Sequence, residues 1–434
     1  MKNNNHRATN NVQRQTTNIQ RSFLQVLKFA NHTIPEFVEV RGKPWIYYGE
    51  NNNYPDYLIN LFNRSAKHNA IVTSKKEYIA GNGWFVNEAG LSPAQNAEVL
   101  ALTKQANMDE SLDDLLEKVA LDLEIFGGFA LQVIYTKGTG RIAEVYHIDF
   151  SKIRASHDGT FYYFSNDWTK YHQSLEDTGL KGFNPFNPAK PVGAQLLYFK
   201  EYRPRLEVYP IPDYIGCIPY IEIDYEIANY HLNNIKNGFC ASFMINFNNG
   251  TPTPEEQATI EKQIRNKFTG TDNAGRFVLN FSDDKSEAPT LLPLQVPDID
   301  KQFALLNESV QQEIFTGHKI TSPMLFGIKT TGQLGGRDEL REASELFQNT
   351  YVNHKQQLLN RVFNSLLQAN GVMTKPLRIV PTTPLKWQLP DTIIATAMTK
   401  DEVRENIGLK PLQIKGVSDV LPPLAQLTVP KEKL

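Results

Sequence analysis

The residues that could do chemistry in this sequence are few and scattered. Nine histidines occur, none in a His-Glu-x-x-His or comparable spacing that would gather ligand nitrogens on one helix face. No Gly-x-Ser-x-Gly turn lifts a serine out as a nucleophile. Gly327 and Gly332 are spaced like the first two glycines of a phosphate-cradling loop, but Gln333-Leu334 stands where that loop needs a lysine and a hydroxyl residue. Without the lysine no charge meets the terminal phosphates. Gly81-Asn82-Gly83 is a turn, with no strand before it and only two of the three glycines of a dinucleotide fingerprint. Asp283-Asp284 and Asp298/Asp300 are acid pairs that could ligate magnesium, although turn and helix-cap carboxylates account for them better. Cys217 and Cys240 have no ligand histidines around them, which argues against zinc, and two thiols in a reducing compartment fit better than a disulfide. The residues argue against an enzyme and call for no cofactor.

What the sequence does contain is an arrangement of helices around a loop. Phe303, Leu306, Val310 and Ile314 recur at helical spacing, predicting a helix from about Asp298 to His318 that Ser322-Pro323 stops. A glycine-rich loop follows, Gly327 to Gly336. From Asp338 a helical pattern runs to Asn370-Gly371, a good left-handed stop. Continuous, that helix is roughly 33 residues and about 50 Å long. A rod of that length suits a scaffold that presents the loop to something.

Earlier in the chain, Pro55 and Asp56 suit the first turn of a helix, and helical spacing continues to Ala80. Ser111 and Asp114 form a capping pair for a helix with the stripe Leu112, Leu115, Leu116, Val119, Leu123 and Phe126; Asp113, Glu117 and Asp122 are expected on its solvated side. Gly127-Gly128 ends it. Strands are expected at Phe129–Tyr135 and Ile142–Phe150, and at the aromatic stretches Phe161–Phe164, Leu196–Phe199 and Leu206–Tyr209. Such aromatics can stack on sugars or bases, but packing on one face of a small sheet is the better reading. A helix from about Ile221 to Phe243 and the one from Asp298 are both net acidic. Between them Phe243–Phe247, a helix opened by Thr253-Pro254-Glu255-Glu256, and Arg276–Phe281 read as strand, helix and strand. Two acidic helices thus flank a compact tip. Near the end, Leu377–Val380 reads as a strand and Lys400–Leu409 as a short helix.

With 434 residues, 41% of them hydrophobic, about three domains are expected. Lys plus Arg number 45 and Asp plus Glu 47, so nucleic acid is not gripped over the whole surface, although it could pass. No apolar run approaches the roughly 18 residues needed to span a bilayer, and Phe23–Ala30 is too short and polar for a signal peptide, so an intracellular, soluble product is expected. Residues 1–22 predict an extended arm. From Met1 to Pro35 the chain has five Lys/Arg and no acid, which suits either a basic arm touching a neighbour or nucleic acid, or a solvated tail.

The order of these pieces resembles the portal, or head-tail connector, proteins of tailed bacteriophages. The matching segments are Tyr54-Pro-Asp-Tyr-Leu58, Ile79-Ala-Gly-Asn-Gly-Trp84, Tyr209-Pro-Ile-Pro-Asp-Tyr214, Glu226-Ile-Ala-Asn-Tyr-His231, Asn237-Gly-Phe239, Thr253-Pro-x-Glu-Glu256, Phe268-Thr-Gly270, Asn273-Ala-Gly-Arg276 and His318-Lys-Ile-Thr-Ser-Pro-Met-Leu-Phe-Gly327. Each is weak alone; their order and spacing over roughly residues 44 to 410 are specific. The resemblance implies a mixed α+β, mainly helical portal fold. It divides the chain into an arm (1–35), a wing (36–220), a stem helix (221–243), a small α/β clip (244–297), a second stem helix and turn (298–327), a tunnel loop (328–337), a long wing helix (338–371) and a crown with tail (372–434).

The resemblance further implies a dodecameric ring at one capsid vertex of the virion, assembled in the host cytoplasm, through which double-stranded DNA enters and leaves. Its implied partners are the terminase large subunit, which carries the ATPase, a head-tail adaptor, and the major capsid and scaffolding proteins; no membrane, metal or catalytic residue is implied. The loop facing DNA would be Lys329, Thr330, Thr331, Gly332, Gln333, Leu334, Gly335, Gly336 and Arg337. The channel-lining stem would carry Glu222, Asp224, Glu226, Lys236, Asp300, Glu308 and Glu313, and the docking surface of the clip Glu255, Glu256, Lys262, Arg265 and Lys267. Physically this fits: an acidic wall repels phosphates within a Debye length of about 8 Å, and glycines with small hydroxyls and amides touch DNA without anchoring it. Two other classes remain open, a capsid-associated ring without a role in DNA translocation, and a monomeric aromatic-rich enzyme with a pocket in residues 151–216.

Overall fold

The computed structural model describes residues 35, 37–40, 42–168, 180–236, 243–246, 255, 259, 290–293, 299–328 and 337–382. The chain divides into two compact units, Met1–Pro381 and Thr382–Leu434, and the second lies outside the described residues apart from its first member. The expected helix at Lys400–Leu409 falls there.

The first unit mixes helices with antiparallel sheet. Strands β1 (Phe37–Glu39) and β2 (Ile46–Tyr48) pair, and helices α1 (Tyr54–Arg64) and α2 (Ala66–Ala80) follow. Proline in its first turn and Asp56 start α1 as expected. After β3 (Trp84–Val86) comes α3 (Pro93–Lys104), opened by a full capping box between Ser92 and Gln95. Helix α4 (Leu112–Phe126) has the expected box at Ser111 and Asp114 and buries its leucine stripe. Gly127 ends it at φ 79°, where an added Cβ would lie 2.5 Å from the Ile211 carbonyl oxygen, so only glycine fits.

A six-stranded sheet stands beside these helices. It comprises β4 (Gly128–Tyr135), β5 (Ile142–Ile148), β6 (Ile153–Ala155), β7 (Tyr162–Phe164), β8 (Lys181–Pro185) and β9 (Ala194–Lys200) in the order β5-β4-β9-β8-β7-β6, and only β8 and β9 run parallel. The aromatic stretches pack on one another as expected: Tyr162 stacks on Tyr198 and Phe150 on Tyr198, at 4.8 and 5.1 Å. The expected strand at Leu206–Tyr209 is absent. Pro204, Pro210 and Pro212 surround that segment without backbone donors, and Arg205 is left-handed at φ 67°, so it runs as an irregular loop.

Helix α5 (Ile218–Lys236), the strand pair β10 (Phe243–Asn246) and β11 (Thr290–Pro293), and α6 (Ile299–Gly317) come next. Helices α5 and α6 are antiparallel: Tyr230 stacks on Phe303 at one end, and Gly317 lies against Cys217 at the other, where an added Cβ would meet the sulfur at 2.4 Å. Most of the residues expected to form the strand-helix-strand tip lie outside the described set.

The long rod consists of α7 (Arg337–Phe347), a five-residue π-helical turn at Gln348–Val352, and α8 (Asn353–Ala369), ending in the left-handed Gly371 at φ 87°. The helical path is continuous, as the sequence predicts, but not uniform. The widened turn seats Tyr351 and Val352 inside, along with Lys355 and Gln356 of the next turn. Strand β12 (Leu377–Ile379) then pairs with β3, bringing the end of the rod back to the segment between α2 and α3.

Candidate functional site

The rod is joined to the rest of the unit through buried charge. Lys75 of α2 and Glu124 of α4 are almost fully enclosed, with the Lys75 Nζ 3.3 Å from Glu124 Oε2. The Tyr351 hydroxyl, in the π-turn, reaches the same carboxylate at 2.7 and 2.9 Å from its two oxygens, and Lys75 Nζ stands 4.0 Å over the Tyr351 ring. One turn on, Lys355 lies 2.5 Å from Glu201 at the end of β9 and 3.2 Å from Asp213. Arg203 and Lys319 complete the set, 3.2 and 3.7 Å from Asp213.

The electrostatics follow from the burial. Desolvation pulls the Lys75 pKa below its ordinary value, with Glu124 opposing. Burial also disfavours the Lys355 ammonium, but Glu124, Glu201 and Asp213 together outweigh it and raise the pKa. Asp213 is held below the usual carboxylate range, its burial overcome by Lys355 and Lys319. Every acid here has a cation from a different segment, so the cluster locks α2, α4, β9 and the rod in one register. Enclosed and fully engaged, Lys75 is a tie and not a nucleophile.

Sequence reasoning missed these groups. A signal was present: Lys75 lies on the stripe Ile71, Val72, Tyr78, Ile79 of α2, all buried, and a lysine on an apolar stripe must find a buried partner. Asp122 corrects an expectation directly. It is buried, accepts a hydrogen bond from the Phe150 backbone N–H at 3.1 Å and lies 2.8 Å from His147 Nε2, because the end of β5 and the turn after it cover that side of α4. Burial raises its pKa. Glu117 is exposed and pairs with Lys76.

The proposed channel residues are placed unevenly. Glu226, Glu308 and Glu313 are exposed on α5 and α6. Asp224 is buried, bonded to Ser65 Oγ at 2.7 Å and paired with Lys67, and Glu222 accepts from the Tyr57 hydroxyl at 2.9 Å. Those two carboxylates are committed inside the chain. Of Lys236 and Asp300 only the backbone is described. In the tip Glu255 is exposed, while Glu256, Lys262, Arg265 and Lys267 lie outside the described residues, as do Lys329, Thr330, Thr331, Gly332, Gln333, Leu334, Gly335 and Gly336. Arg337 opens α7. Among the described residues there is no group of histidine, cysteine and acid side chains able to hold a metal ion, and no helix long and apolar enough to cross a membrane.

A histidine pair seats the end of α6. His68 Nδ1 lies 2.9 Å from His318 Nε2, both rings are buried, and Tyr214 stacks on His318. Burial, helped by the Lys75 charge, lowers the His68 pKa to about 3 and brings His318 well below its ordinary value. The unfolded chain protonates both near pH 6.5 while the folded chain does not, so the unfolded state binds more protons and stability falls as pH drops from about 6.5 toward 3. Between pH 6.5 and 5 the pair is expected to steepen the loss by up to about 1.4 kcal/mol per pH unit for each proton. Urea unfolding of the wild type and of His68→Phe/His318→Phe checks this: the double variant should have the shallower slope, and equal slopes would contradict it.

No protein-family model matches the chain. A probable portal protein of Haemophilus phage HP1 (strain HP1c1) is 22% identical over 231 residues, which cover 52% of this chain and 62% of that relative. The matched stretch thus spans less than two thirds of the relative's length. Among solved structures, a chain from the neck of an empty gene transfer agent particle superposes with TM-score 0.50 and 17% identity, covering 82% of this chain and 94% of its own. An HK97-family phage portal protein from Corynebacterium diphtheriae gives TM-score 0.44 at 11% identity over 72% of this chain and 92% of its own.

Proposed function

We propose that this chain is a phage portal protein, twelve copies of which form a ring at one capsid vertex through which double-stranded DNA is packaged and released. The sequence similarity to a probable portal protein and the fold shared with a virion-neck chain support the reading. The observation that carries it is the α5–α6 pair. Two antiparallel helices keep Leu232, Leu305 and Leu306 exposed, at 48%, 67% and 41%, alongside the exposed Glu226, Glu308 and Glu313. A lone chain gains nothing from leucines in water; a ring buries them between copies and leaves its acids free to face a channel.

In this reading residues 36–220 and the rod form the wing, α5 and α6 the stem, residues 244–297 the clip on which the terminase and then the head-tail adaptor dock, 328–337 the tunnel loop, and 372 onward the crown. The role is structural, and the work of DNA translocation belongs to the docked ATPase. Acids on the wall keep DNA from adhering, and the loop supplies the close contact through small residues and the cations Lys329 and Arg337. Replacing Arg337 with alanine should leave ring assembly intact while impairing packaging or retention of DNA. Normal packaged genome length together with normal retention would refute the assignment of the loop.

A further inference from the structure

The charged cluster opens onto a cleft of about 530 Å³ between the end of β9 and the rod. Its walls carry Lys200, Arg203, Lys319, Lys355 and Arg361 against only Glu201 and Asp213. Lys355 is engaged by both acids, and Arg203 and Lys319 share Asp213 with it. Arg361 is exposed and has no ion-pair partner among the described residues, and His354 is exposed beside it. His354, Leu358 and Arg361 are spaced by four and three residues, so they line one face of α8 over about 10.5 Å. The cleft therefore presents surplus positive charge, with Arg361 the exposed cation on that face of α8.

The complementary surface is in the same chain. Helix α7 carries Asp338, Glu339, Glu342 and Glu345, all exposed, against Arg341, which pairs with Glu345 at 3.8 Å. Asp338, Glu342 and Glu345 repeat the four-and-three spacing, so they too share one face over about 10.5 Å. Leu346 beside them is 53% exposed. Both surfaces ride on one continuous rod, 16 residues apart, joined through the π-turn. A rod cannot bend back on itself, so the acidic face of one copy can meet a cleft only on another.

We propose that the acidic face of α7 docks in the basic cleft of the neighbouring copy, so that each rod uses one end as plug and the other as socket. Two different patches on each copy make a heterologous contact, the kind that closes into a ring. The inference rests on the ring reading and adds to it the residues that set the order of copies.

The test is the concentration dependence of assembly of the full chain, followed by mass photometry, for the wild type, Arg361→Glu, Glu345→Arg and the two combined. Both positions are exposed, and unchanged circular dichroism checks the fold. Each single variant should raise the half-assembly concentration by about tenfold or more through like-charge opposition, and the combination should recover most of the loss. Equimolar mixing of the two single variants should also improve on either alone. Neutral single variants, or a double variant as poor as the sum of the singles, overturn the pairing while leaving the ring reading standing. Rings that form normally with Arg361→Glu but lose double-stranded DNA would make the cleft a phosphate site and overturn it too. A wild-type chain that never associates removes both.

Discussion

Replacing Glu124 with alanine is expected to cost the folded chain about 3–5 kcal/mol, a large fraction of the roughly 5–15 kcal/mol that holds a domain together. The carboxylate is 3% exposed and is the common partner of Lys75 and the Tyr351 hydroxyl. Its removal leaves an ammonium and a phenol buried without their acceptor, which costs far more than the net worth of the pair. The loss should appear in urea unfolding as a lower midpoint with the rod coming free early, read from the exposure of Tyr351. Lys75→Met combined with Glu124→Leu and Tyr351→Phe removes both charges and the hydroxyl and should recover most of the stability, because an apolar set of similar volume avoids the desolvation of both ions and leaves no buried donor without an acceptor. A change below about 1 kcal/mol for Glu124→Ala would show that the cluster is open to water and screened.

The second large effect concerns assembly. Leu305→Glu together with Leu306→Glu should abolish the ring while leaving the chain folded, because both side chains are exposed on α6 and make little of the internal core. Burying a leucine at a contact contributes about 1.5–3 kcal/mol, and the substitution exchanges that for a carboxylate that must be desolvated at every contact in the ring. Light scattering coupled to size exclusion should find monomer with wild-type helix content. Assembly at wild-type concentration would place the contact elsewhere.

Much of the architecture was legible because local signals and tertiary packing agree. Pro55 and Asp56, the Ser111–Asp114 box and Gly127 delimit helices as expected, and the stripe on α4 is the face that packs; on α6 only Val310 and Ile314 of the stripe are buried, while Leu306 is exposed. Helix α3 is equally readable from Ser92-Pro93-Ala-Gln95, a capping box with proline at the first turn. The π-turn was not readable, since it depends on Tyr351 reaching a carboxylate 227 residues away. Asp122 illustrates the same limit: period places it opposite the leucines, and only the fold of β5 covers it. The candidate channel was partly legible. Sequence marks which helices are acidic, but the commitment of Asp224 to Ser65 and Lys67 is a long-range fact.

A portal channel exists only as a ring, so assembly is its first requirement. Native mass spectrometry of the purified full chain, with negative-stain imaging, tests it most directly. The prediction is a species of twelve copies of the 49.3 kDa chain, about 592 kDa, seen as a ring with an axial hole. A compact 49.3 kDa monomer at high concentration, with no ring in any field, would contradict it.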